Sequence, residues 1–190
     1  MRTPATTVLS AAAAIAIVAS PRSACALFDA GAQAGFVARS ASAPGLGFGL
    51  HGDVDLLPLV KVGPYLLHYE LSASHGEVFA VDAPDLAANA KFNAIGLRAR
   101  LRLPLTARLR SHLLFGLGHT FAQYAAPLHR SGRFWECPIG LGISYEVADN
   151  LELSLDGAYR PGFAFSGGAF DVEQRPASGW SLLLGATVSF

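Results

Sequence analysis

This chain of 190 residues carries little charge. Lys, Arg, Asp and Glu make up 15% of it, and 14 basic residues face 14 acidic ones. That balance argues against a nucleic-acid partner and against an acidic tail. Cysteine occurs twice, at Cys25 and Cys137, so neither a CxxC pair nor a Cys/His zinc arrangement exists. Long hydrophobic runs are missing as well. The longest, Val8 to Ala19, falls short of the roughly 20 residues a membrane-spanning helix needs. Glycine, proline or charge interrupts every later one. Yet mean hydropathy is positive, +0.37, so the apolar residues must be distributed in some other pattern.

That pattern is alternation by twos. From Trp180 to Phe190, one parity holds Trp180, Leu182, Leu184, Ala186, Val188 and Phe190, and the other Ser181, Leu183, Gly185, Thr187 and Ser189. A period of two marks a β-strand with one apolar face. The same reading predicts strands near 31–39, 46–55, 60–71, 92–103, 108–124, 135–147 and 151–160, which makes eight with the last. Three joints are tight turns, and the others are mostly longer and more polar. At roughly 20 residues per strand and connection, about 160 residues supply eight strands and one domain.

The N-terminal end has the form of a secretory signal. Arg2 precedes the apolar run, Pro21 breaks it, and Ala24-Cys25-Ala26 is an A-x-A-like cleavage site. Residues 1–26 are therefore expected to be a signal peptide, and 27–190 the barrel domain. Cys25 also leaves lipidation open, although Arg22 stands where a Leu-like residue is normal.

An apolar strand ending on Phe190, behind a signal peptide, resembles the C-terminal strand of small bacterial outer-membrane β-barrels of the OmpA/OmpX-like superfamily. The resemblance covers the chain from residue 27 onward and rests on architecture and the last strand, with no diagnostic internal motif. It implies an all-β fold, an eight-stranded antiparallel up-and-down transmembrane barrel integral to the outer membrane. Outer-membrane lipid and lipopolysaccharide are the implied surroundings. The barrel-assembly machinery would act on the C-terminal strand, and a monomer without cofactor is expected. A soluble, lipocalin-like barrel is the structural rival, with the apolar parity turned inward.

With the apolar face in lipid, the charged parity fills a narrow lumen. The expected network is Asp53, Asp55, Glu70, Arg98, Arg100, Arg110, His112, Glu146, Glu152 and Asp156. Pairing about Leu105 sets Arg98 opposite His112 and Arg100 opposite Arg110. Pairing about Asp149 sets Glu146 opposite Glu152, and pairing about Leu128 sets Arg110 opposite Glu146. Like charges face to face require counter-charges, so the basic and acidic hairpins should join. A lumen closed by these pairs is one reading, and a water-lined ion path through them is the other. Phe121, Trp135, Tyr159 and Trp180 at one end, with Tyr145 and Phe190 at the other, read as interfacial aromatic anchors.

Catalytic and metal-binding sets are thin. The lipid A deacylases among such barrels carry a His-x-Ser-Asn run, and the comparable stretch here, Gly157 to Gly162, has neither His nor Ser. His119-Thr120 is the nearest substitute. His51 and His68, with Asp53 and Glu70, share one parity and could approach a metal-binding set. His75, His129, Arg130 and Arg133 are placed in outer loops, solvated or near lipopolysaccharide phosphate. The expectation is a non-enzymatic barrel with a structural or surface-interaction role. The alternatives are a narrow ion or solute channel and a lipid A-modifying enzyme.

Overall fold

A computed structural model describes residues 28–39, 44–72, 89–124, 131–166 and 178–190. The expected signal peptide and the lipidation of Cys25 lie outside the described residues. Ten strand segments are present: β1 (Phe28–Arg39), β2 (Gly45–Leu57), β3 (Val60–Ser72), β4 (Asn89–Pro104), β5 (Leu109–Tyr124), β6 (Ser131–Glu136), β7 (Ile139–Ala148), β8 (Leu151–Arg160), β9 (Gly162–Ser166) and β10 (Gly179–Ser189). Every pairing is antiparallel. The first strand pairs with the last, from Asp29↔Ser189 to Arg39↔Gly179, and β4 pairs with β5, so the sheet closes on itself. Closure leaves no edge along the barrel wall, the condition for sheet inside a membrane.

Ten segments make eight barrel strands because two strands are broken by proline. Cys137-Pro138 separates β6 from β7, and both segments pair with β5. Pro161 separates β8 from β9. Proline has no N–H to give to the ladder. The breaks face one another: Cys137 N donates to Pro161 O at 3.0 Å, and Gly116 N to Pro138 O at 2.8 Å. Beyond the break, β9 pairs with β6, so a stretch expected to be loop begins as strand.

The tight turns at residues 58–59, 105–108 and 149–150 share one end of the barrel with Phe28 and Phe190, where Phe190 N donates to Phe28 O at 2.9 Å. In the turn after β4, Thr106 Oγ1 accepts from the backbone N of Arg108 and Leu109. The turn therefore centres later than Leu105, and the β4–β5 register is four residues from the expected one. Arg102 faces His112, Arg98 faces Gly116 and Arg100 faces Leu114. The expected oppositions of Arg98 with His112 and of Arg100 with Arg110 do not occur. Glu146 does face Glu152, but Arg110 faces Ser144 rather than Glu146.

Outward positions are apolar over most of the wall: Leu46, Phe48 and Leu50 on β2, Leu97 on β4, Phe115 and Leu117 on β5, Leu141 and Ile143 on β7, and Leu182 and Leu184 on β10 all lie exposed. Inward positions there carry buried charge, including Asp53, Arg98, Arg100 and Asp156. Toward the loop end, β3 and β4 reverse this rule. Tyr65, Leu67, Tyr69, Leu71, Phe92 and Ala94 point in and are buried in one apolar cluster with Val37 and Phe134. Outward stand His68, Glu70, Lys91 and Asn93. Apolar-out changes to apolar-in where lipid gives way to water, which sets the membrane line between Leu66 and His68 on β3 and between Ile95 and Asn93 on β4.

The reversal corrects the expected orientation of strand three. Glu70 is not a lumen residue. Its side chain is 55% exposed and pairs on the outside with Lys91 at 2.9 Å. His68 likewise lies outside, bonded to Asn93, on the opposite face from buried His51.

Candidate functional site: the lumen

Among the described residues five polar clusters fill the interior, and each draws on two or more strands. In the middle, Asp53 of β2 accepts Arg98 Nη2 at 2.9 Å and Arg98 Nε at 3.3 Å, and also Arg100. All three residues are almost fully buried. An isolated carboxylate at this depth would be very costly to desolvate, and two guanidiniums supply both charge and directed donors. His51 Nε2 lies 3.1 Å from Thr187 Oγ1. A second central pair joins His112 Nε2 to Asp156 Oδ1 at 2.6 Å. Gly142 lies directly against both, where a Cβ would collide, so this glycine makes the room that the pair occupies.

Toward the turn end, Arg110 donates to Glu146 at 2.6 Å and to Glu152 at 3.1 Å. The two facing carboxylates are thereby bridged by one cation, which offsets the repulsion of their opposition. Lys61 pairs with Asp29, and with Asp55 at 3.3 Å. Asp55 is at the rim, with 37% of its side chain exposed.

Toward the loop end stands the cluster that sequence reasoning did not assemble. Glu136 of β6 is wholly buried. It accepts Arg39 Nη2 at 2.8 Å, Arg160, and Tyr65 OH at 3.3 Å. Arg39 also donates from Nε to Tyr69 OH at 2.8 Å. Its guanidinium carbon lies 5.3, 5.3 and 4.6 Å from the ring centroids of Tyr69, Phe92 and Phe134. Three ring faces and one carboxylate together hold this cation out of water. The hydrogen-bonded residues come from β1, β3, β6 and β8, and Phe92 from β4. Their inward parity was visible for Glu136 and Arg160, but the register that joins them was not.

Of the expected network, Asp53 with Arg98 and Arg100, Arg110 with Glu146 and Glu152, and His112 with Asp156 form three separate groups. Asp55 joins Lys61, and Glu70 lies outside. Between the central and loop-side clusters a small cavity is lined by Gln33, Tyr65, Arg98, Asp156, Arg160 and Ser181 among others. Ser181 Oγ and Arg160 Nε are buried there without a hydrogen-bonding group of the described chain, which suits water.

The expected aromatic anchors all lie on the outside. Trp135, Phe121, Tyr159 and Trp180 stand toward the loop end, and Tyr145 and Phe190 toward the turn end. Tyr159 and Trp180 pack with ring centroids 4.8 Å apart, and Phe28 meets Phe190 at 6.2 Å. No catalytic set comes together from the residues considered. His119 is outward, against Phe121 and Trp135, while Thr120 is inward and fully buried. His112-Asp156 is buried in the lumen, with no nucleophile among the described residues hydrogen-bonded to it. Cys137 is a free thiol at the strand break.

A continuous apolar exterior of this extent is not tolerated in water, and an interior of paired charge is the opposite of a lipocalin-type core. The molecule is a closed eight-stranded barrel of the outer-membrane type, and that lipid-matched surface places it in the bacterial outer membrane. Solved structures with similar folds include two outer-membrane proteins. One is the Neisserial surface protein A, with a TM-score of 0.62 and 15% identity over 86% of this chain and 97% of that one. The other is a major outer membrane protein from Thermus thermophilus, with a TM-score of 0.55 and 14% identity over 86% of this chain and 99% of that one. At such identities the likeness is one of fold. No protein-family model matches the sequence, and no curated protein matches it.

Proposed function

We propose that the chain is a non-enzymatic integral barrel with a plugged lumen, acting as a structural or surface-interaction protein through its outer end. The observation that carries this reading is the Glu136 cluster. It ties β1, β3, β6 and β8 together across the interior beneath an apolar cap of Leu67, Leu71, Phe92 and Phe134. An ion entering from the loop end would meet that cap first, where desolvation is costly. The water-sized cavity beyond it favours the narrow-channel alternative only if it connects to both mouths. As parts of the same proposal, residues 1–26 are removed as a signal peptide, β10 is the strand the assembly machinery handles, and the barrel works as a monomer.

Planar-bilayer recording of the purified, folded chain tests the plug. No steady unitary current is expected. Reproducible single-channel steps that scale with salt would replace the plug with the channel. Mass analysis of lipopolysaccharide incubated with the same preparation tests the enzymatic alternative, and an unchanged acyl pattern is expected.

A further inference from the structure

Charge is not balanced evenly along the barrel axis. The central and loop-side clusters hold four guanidiniums, Arg39, Arg98, Arg100 and Arg160, against three carboxylates, Asp53, Glu136 and Asp156. A proton on His51 or His112 would only widen that surplus. Toward the turn end, Lys61, Arg102 and Arg110 stand with Asp29, Glu146 and Glu152, and the extra acid there, Asp55, is at the wet rim. The other cations of the described residues, Lys91, Arg108 and Arg133, are exposed, Arg133 on the outside of β6 rather than in a loop. One positive charge in the middle and loop-side lumen therefore has no carboxylate among the described residues to answer it.

The cavity lies at that level. Arg98 and Asp156 of the central clusters line it, with Arg160 and Tyr65 of the loop-side cluster and with Ser181. Arg160 and Ser181 are only 4% and 5% exposed, and Arg160 Nε and Ser181 Oγ have no hydrogen-bonding partner among the described residues. Ser181 on β10 faces Ala158, two residues before Arg160 on β8, so the two inward side chains are diagonal neighbours beside a small residue. An arginine Nε–H can only donate, so what it meets in the cavity must be an acceptor. Asp156 does not fill that role, since its Oδ1 is held by His112 at 2.6 Å. Water would accept from Arg160 but leave the surplus charge unanswered, and a buried charge without a partner is costly. A monatomic anion answers both, and the water-sized room excludes phosphate and other polyatomic anions. The rest of the lining, including Leu114, Pro138 and Leu183, is apolar, which suits chloride better than strongly hydrated fluoride. We propose that the lumen binds a chloride ion between Arg160 Nε and Ser181 Oγ, as counter-ion to the clusters on either side. The ion is a fixed part of the interior whether or not the lumen conducts.

The direct test is diffraction from crystals of the folded barrel grown with bromide in place of chloride, read at the bromine absorption edge. An anomalous peak between Arg160 and Ser181 is expected. In solution, the urea midpoint of the barrel refolded in lipid vesicles should rise saturably with chloride or bromide. Gluconate, too large for the cavity, should not raise it at equal ionic strength. Ser181→Ala should weaken the apparent halide affinity roughly tenfold. Ser181→Asp, which supplies the negative charge itself, should remove the dependence. Ser144→Ala, which deletes a buried unpaired hydroxyl outside the cavity, should keep it. Absence of the peak or of the saturable response would overturn the proposal and leave the cavity to water. A halide response equal in all three variants would overturn it too, as a general salt effect. None of these results alters the conductance reading, so the two proposals fail separately.

Discussion

At the scale of the residue, Glu136 is the most exacting position in the molecule. One carboxylate with no solvent exposure answers two guanidiniums and a phenol. Removing one partner from a buried ionic group is far more damaging than never having had it. Glu136→Gln keeps the volume and removes the charge, leaving Arg39 and Arg160 buried against a neutral amide. The expected cost is about 3–5 kcal/mol, read as a fall in the urea midpoint of the barrel refolded in lipid vesicles. Glu70→Gln removes a carboxylate whose partner, Lys91, is also exposed on the outside. It should cost no more than about 1 kcal/mol. Comparable losses at the two positions would contradict the assignment of one to the interior and the other to the outer surface. Neither residue's situation could be read from composition alone: both are glutamates on alternating strands.

At the scale of the element, parity decides what a strand can tolerate. Leu141 on β7 is 67% exposed on the lipid face, whereas Gln123 on β5 lies above the membrane line. Leu141→Arg should therefore destabilise the refolded barrel by about 2–4 kcal/mol, and Gln123→Arg by about 1 kcal/mol or less. Equal penalties measured by the same urea titration would remove the membrane line from where β3 and β4 place it. The strands themselves were legible because period-two alternation is a property of each one alone. Strand three was legible as a strand and misread as to its faces. Its two parities are both part apolar, and it crosses the level at which the rule reverses. Registers were legible where the turn was short, as at Asp149-Asn150, where Glu146 stands opposite Glu152 despite a one-residue shift between Glu146 and Ala148. After β4 the hydroxyl of Thr106 organises a longer turn, and counting from Leu105 fails by four residues. The Glu136 cluster was illegible for a different reason. It depends on contacts across the lumen between four strands, and no local pattern records which side chains reach the axis at one height.

At the scale of the whole molecule, the three regimes combine into one device. A lipid-facing apolar wall surrounds paired charges in the membrane, and a short collar above it is apolar within and polar outside, like a water-soluble sheet. Charge pairs specify how the strands meet in a setting where lipid contact gives no preference among apolar neighbours. Both tryptophans of the chain, Trp135 and Trp180, lie outside at the loop-side border of the wall, which makes intrinsic fluorescence a direct reporter of the whole arrangement. The measurement to make is quenching of that fluorescence in vesicles by lipids brominated at graded acyl depths. Strong quenching is expected, greatest for bromines near the headgroup and weaker at the bilayer centre, with little access for aqueous iodide. Efficient iodide quenching with no effect of brominated lipid would contradict the account, because it would put the apolar wall, and the residues that border it, in water.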